Sequence, residues 1–126
     1  MGVIYTSRIG YVGSDGLDIT VKSAIGVGRL LAPTWAMVGG LKRWAGYEPL
    51  VPAQYVDQYY TLLRTRYRAD PQPFFDLIHR ERLTVLCFCS VGVFCHRYLA
   101  VDILEKIAYA AGLPFARGGE LPHGRT

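Results

Sequence analysis

Residues 83–89, LTVLCFC, carry a single hydroxyl among seven side chains that are otherwise apolar. A strand with one face in water alternates apolar and polar residues. A near-continuous apolar run fits a strand covered on both faces, the centre of a parallel sheet. A short glycine-containing loop, SVGVF, follows, and Cys95-His96-Arg97 then leads into residues 98–111. There Leu99, Ile103 and Ile107 fall on one helical stripe, and Asp102 and Lys106 stand four apart. Gly112 and Pro114 stop that helix.

Upstream, residues 3–8 (VIYTSR) are β-branched and aromatic and run into a glycine-rich loop at 10–16. Residues 17–21 (LDITV) alternate and predict a second strand. Residues 24–31 are apolar with two glycines, an irregular crossing segment or a short strand. Gly26-Val27-Gly28 is a fragment of a dinucleotide fingerprint that lacks the third glycine. Pro33 suits the first position of a helix carrying Trp35, Val38, Leu41 and Trp44, which Gly39-Gly40 weakens. Pro52 opens a stronger helix through Tyr55, Val56, Tyr59, Leu62 and Leu63, and Asp70-Pro71 a short one through Phe74 to Ile78. The order predicts a single α/β domain over 1–126, with a small, mostly parallel, Rossmann-like sheet flanked by helices. Residues 115–126 form a tail or an edge extension.

At 126 residues with 51% hydrophobic and 19% charged side chains, the chain is globular in composition. No apolar run reaches the ~20 residues of a bilayer span, and the N-terminus lacks the pattern of a secretory signal. A cytoplasmic domain with no membrane partner is expected. Fourteen basic residues against ten acidic ones give +4. Eleven of the fourteen are Arg, whose donor fork suits phosphate and carboxylate. The three cysteines lie within nine positions, so reduced thiols fit better than a disulfide scaffold.

Parallel sheets bind ligands beyond the carboxyl ends of their strands. Two such ends carry polar groups: Thr6, Ser7 and Arg8 after the first strand, and Cys89, Ser90, Cys95, His96 and Arg97 after the buried one. A helix N-terminus at the Cys-His-Arg triplet favours a bound anion or a thiolate. Cys87 has the character of a small buried hydrophobe. A zinc knuckle needs wider spacing than Cys87-x-Cys89, so no metal and no cofactor are expected. A phosphatase-type loop fails as well, because the sixth position after Cys89 is Cys95 and not Arg. Arg64, Arg66 and Arg68, with Tyr59, Tyr60 and Tyr67, suggest a nucleic-acid face, but a solvated helix terminus accounts for them better.

The run LTVLCFCSVGVFCHRYLAVDIL, the N-terminal IYTSR, the LAPT at 31–34 and the tyrosines around Tyr55 and Tyr59 resemble the domain-of-unknown-function 488 family over residues 3–112. The Cys-His-Arg opening of a helix is the most specific element. The resemblance implies a Rossmann-like α/β fold and a polar pocket at that triplet, and implies no activity. The expected function is binding of a small anionic molecule, a nucleotide or nucleotide-derived signal, at Thr6, Ser7, Arg8, Cys89, Ser90, Cys95, His96 and Arg97. The alternative is an enzyme on a nucleotide-type substrate, with Cys95 or Cys89 as nucleophile and His96 as acid or base.

Overall fold

In the computed structural model, which describes residues 2–89 and 94–123, the apolar run becomes the interior strand of a four-stranded sheet. The strands are β1 (Val3–Arg8), β2 (Gly16–Asp18), β3 (Arg82–Cys87) and β4 (Ala116–Glu120). Their spatial order is β2-β3-β1-β4, with every neighbouring pair parallel. Leu83, Thr84 and Val85 have no exposed surface. The strand stops at Cys87, and Phe88 turns out into solvent, so the buried segment is two residues shorter than the apolar run.

The expected second strand also shortens. Asp18 turns the chain: its carboxylate accepts from the Thr20 backbone N–H at 2.8 Å, the Thr20 hydroxyl at 2.7 Å and the Ser23 hydroxyl. A short acidic side chain that bonds its own downstream backbone competes with strand pairing. The apolar stretch beyond it is a 3₁₀ turn, Gly26–Leu31.

Four helices follow, α1 (Trp35–Leu41), α2 (Pro52–Ala69), α3 (Gln72–Ile78) and α4 (His96–Ala110). Thr34 caps α1 by accepting the Met37 N–H at 3.2 Å, so Pro33 precedes the helix and does not open it. Pro52 is the first residue of α2, as its sequence position suggests. The helix α4 packs on α2, β1 and β3 around a core that includes Tyr59, Leu63, Phe74, Leu83, Val85 and Leu104. The α2 side chains also hold the 3₁₀ turn. Tyr59 donates to the Leu31 carbonyl at 2.7 Å, and Arg66 to the Leu30 and Ala32 carbonyls at 2.9 and 2.7 Å. Arg66 is therefore half-buried and engaged, unlike its exposed neighbours Arg64 and Arg68.

The last strand is the edge extension. Arg117 on β4 pairs with Asp102 and, at 3.0 Å, with Glu105, both on α4, which fixes the strand against the helix it follows. Among the described residues no helix is long and apolar enough to cross a membrane.

Gly39 and Gly40 sit inside α1 because the returning chain lies directly on the helix. A Cβ at Gly39 would overlap the Tyr47 ring, and one at Gly40 the Glu48 carbonyl oxygen and the buried Leu50 side chain. Gly40→Ala should therefore lose about 1–3 kcal/mol of unfolding free energy in urea. The ~1 kcal/mol gain in helix propensity does not cover this overpacking. A Gly40→Ala chain more stable than the parent would show that Leu50 is not seated on α1.

Candidate functional site: an aromatic cavity with three sulfurs at its floor

Beyond the carboxyl ends of β2 and β3 the chain encloses a cavity of about 450 Å³. Thr20, Val21 and Lys22 form one wall, on the segment that the Asp18 turn fixes. Trp35, Val38, Leu41, Lys42 and Trp44 form the facing wall, on α1 and the residues after it. The floor comes from Tyr55 on α2, from Cys87, Phe88 and Cys89 at the end of β3, and from Phe94, Cys95 and His96 at the start of α4.

The walls are rich in rings. Trp35 and Trp44 lie 6.3 Å apart, and Phe94 meets Tyr55 edge-on at 5.4 Å. Trp35, Trp44, Phe88 and Phe94 all keep between 38% and 49% of their surface exposed. Large apolar side chains left half in water, and gathered around one concavity, are a contact surface. Two cations join them: Lys22, whose ammonium lies 5.8 Å from the Phe88 ring centre, and Lys42.

At the floor, Cys95 is the N-cap of α4 and gives it no side-chain cap hydrogen bond, so the positive end of the helix dipole faces the cavity. Neighbouring residues on a helix point about 100° apart, which would separate Cys95 from His96. Cys95 is extended, however (φ −156°, ψ 143°), and its sulfur stands 4.0 Å from His96 Nδ1. The other imidazole nitrogen, Nε2, donates to the Ile19 carbonyl at 2.7 Å, which leaves the Nδ1 lone pair free to accept. Burial pushes the His96 pKa down to about 4; the Ile19 carbonyl opposes the shift and the Arg97 charge adds to it. His96 is thus neutral at pH 7. Burial also raises the Tyr55 hydroxyl, with the nearby Cys89 acting in the same sense.

The three cysteines converge here, and Cys87 and Cys95 are joined as a disulfide where reduced thiols were expected, with Cys89 free. Their sulfurs all lie within 4.8 Å of one another. Cys87 ends β3, Cys89 follows in the bend just after it, and the α4 cap returns Cys95 to meet them. Linear Cys-x-Cys spacing does not show the approach of Cys95 from another element.

Cys89, Cys95 and His96 line the cavity, as expected from their sequence positions; Thr6, Ser7, Arg8 and Arg97 do not. Arg97 has no exposed surface. Its guanidinium donates to both Glu120 carboxylate oxygens at 3.2 and 3.1 Å, to the Cys87 sulfur and Cys89 carbonyl at 2.9 Å each, and to the Tyr98 hydroxyl at 2.8 Å. Thr6 donates to Glu120 at 2.5 Å and Ser7 to the Leu121 carbonyl at 2.8 Å, so both hydroxyls serve the β4 edge. Thr6 also borders a smaller cleft of about 140 Å³ on that side of the sheet. Arg8 reaches the Phe88 carbonyl at 3.3 Å. Both arginines therefore converge on the backbone after β3, behind the cavity floor. Ser90 lies outside the described residues. The aromatic wall and the two lysines were missed by sequence reasoning. Their signal was the pair of tryptophans beside Gly39-Gly40.

Comparison with protein-family models, curated proteins and solved structures finds no match to this chain.

The buried, neutral His96 makes stability depend on pH. An unfolded imidazole takes up a proton near pH 6.5 and the folded one only near 4. Between those values the unfolded chain binds more protons, so this contribution is complete above pH 6.5 and declines as pH falls toward 4. Urea midpoints measured with a metal chelator present should drop across that window, and His96→Gln should flatten the decline. Equal slopes in the two chains would contradict a buried neutral imidazole.

Proposed function

We propose that the protein binds a small anionic ligand with a planar aromatic part, a nucleotide or a nucleotide-derived signal, in this cavity. The observation that carries the reading is the meeting of half-exposed aromatic rings with Lys22, Lys42 and the α4 N-terminus in one concavity. The volume falls within the range of small-molecule sites, ~300–1,000 Å³. Rings on the walls offer a base its stacking surface, worth ~1–3 kcal/mol per base. The lysine ammoniums and the dipole of α4 offer phosphate its charge complement. Arg97 supports this site from behind, holding the β3 end and the α4 start in place. The composition fits a cytoplasmic setting, and the Cys-His-Arg start of α4 fits the domain-of-unknown-function 488 family.

A second reading is catalytic. It rests on the 4.0 Å approach of His96 Nδ1 to the Cys95 sulfur, with Cys95 (or Cys89) as nucleophile and His96 as the base that takes its proton. The binding reading needs fewer elements, because among the described residues no carboxylate lines the cavity to orient the imidazole.

Trp35 and Trp44 are the only tryptophans in the chain, and both line the cavity, so their emission reports its occupancy directly. Titration with nucleoside mono- and diphosphates should change that emission saturably. The Lys22→Ala/Lys42→Ala chain should bind at least ~10-fold more weakly, the scale of a charge-assisted hydrogen bond. Emission unchanged by every nucleotide, or equal affinity in the double variant, would contradict the proposal.

A further inference from the structure

The sulfurs of Cys87, Cys89 and Cys95 stand within 4.8 Å of one another at the floor of the cavity. Cys87 and Cys95 are buried, and Cys89 is half-buried. A tetrahedral zinc ion with Zn–S bonds of about 2.3 Å places its sulfurs ~3.8 Å apart, so the three lie within reach of one ion once the Cys87–Cys95 bond is reduced. Cys87 and Cys95 are joined as a disulfide in this structure, yet their Cα atoms are 7.8 Å apart. Bridged cysteines keep that separation at about 4.4–6.8 Å. A shared cation has the longer reach, because two metal–sulfur bonds of about 2.3 Å replace one sulfur–sulfur bond of about 2.05 Å.

One neighbour suits a bound thiolate. Arg97 donates to the Cys87 sulfur at 2.9 Å, a charge-assisted contact when the sulfur is anionic. All three cysteines border open cavity volume, so an ion among them would keep a coordination position facing it. Three protein ligands with a fourth position open is the pattern of reactive rather than structural zinc sites.

We propose that Cys87, Cys89 and Cys95 together bind a thiophilic divalent cation, zinc in the first instance, as three thiolates, with the fourth position open to the cavity. A thiol or phosphine reductant first opens the Cys87–Cys95 bond with two electrons and two protons; each of the three thiols then releases its proton to solvent on binding. Three thiolates on a divalent ion carry one net negative charge. Soft sulfur donors select zinc over the magnesium and calcium that oxygen ligands hold. The proposal stands apart from the nucleotide reading, since it concerns the sulfurs and not what fills the volume above them.

The test uses the full chain, reduced with a non-thiol reductant and stripped of metal. Titration with Co²⁺ should give one equivalent of binding, with sulfur-to-cobalt charge-transfer absorption in the near ultraviolet and the visible bands of a tetrahedral site. One equivalent of Zn²⁺ should erase both. Cys95→Ser and Cys89→Ser should each weaken the affinity by at least ~100-fold, beyond the ~10–100-fold that partners around the ligands control. Cys87 lies in the buried strand, and its substitution could unfold the chain. The half-buried Cys89 at the strand end provides the decisive variant, with its fold verified by circular dichroism. No charge-transfer band at one equivalent of Co²⁺ would overturn the proposal. So would a folded Cys89→Ser chain that binds Co²⁺ with the parent's affinity and spectrum. A chain whose Cys87 and Cys95 stay joined through non-reducing digestion, and which takes up neither ion once reduced, would overturn it as well.

Discussion

The buried guanidinium of Arg97 joins the two ends of this fold. It sits on the first turn of α4, reaches back to the Cys87 sulfur and the Cys89 carbonyl, and reaches sideways to both oxygens of Glu120 on β4. Taking a charge out of water costs several kcal/mol unless its donors and its countercharge are matched, and here both are. Thr6 adds a further hydrogen bond to the same carboxylate. The result is that β1, β3, β4 and the α4 N-terminus meet at one charged pair, and the geometry of the cavity floor follows from it. Removing either partner strands the other, which makes this pair a positioning device more than a source of net stability.

The architecture was legible wherever pattern and burial coincide. The 83–89 run announces an interior strand, and the stripe at Leu99, Ile103 and Ile107 announces the helix after it. The last strand was less so. Its sequence, ARGGE, has no strand character; it pairs because β1 leaves an edge open and because Gly118 lets the chain lie against the Tyr5 ring. Glycine there weakens a strand by propensity and permits it by shape. The same ambiguity hides α1, where Gly39-Gly40 marks chain packing on the helix and not a break in it.

The site was legible in part for the same reason. Cys89, Cys95 and His96 follow a buried strand and open a helix, and strand-end logic places them correctly. Arg97 follows the identical logic and fails, because its partner, Glu120, lies in a segment with no pattern of its own. An arginine at a helix start is an anion ligand only when no internal carboxylate claims it. The convergence of three sulfurs is invisible in linear spacing. It requires the bend that follows β3 at 88–89 and the extended cap at Cys95 together. The aromatic wall was read as a helix stripe, since half-exposed tryptophans at helical spacing look the same in sequence as buried ones.

Chemically, the cavity joins surfaces that are rarely adjacent: stacking rings, two lysines, and a floor of sulfur beside a neutral imidazole. The rings and lysines suit recognition of a planar anion. The sulfurs and imidazole suit a soft ion or a reactive thiol. Both depend on the floor being held in one arrangement, and Arg97 with Glu120 holds it. A double-mutant cycle tests that dependence most directly, with unfolding free energies compared for the parent, Arg97→Met, Glu120→Gln and the double variant. The account predicts large single losses and a double variant destabilised by clearly less than their sum, a coupling of about 1–3 kcal/mol. Additive effects, or an Arg97→Met chain as stable as the parent, would show that the fold does not rest on this pair.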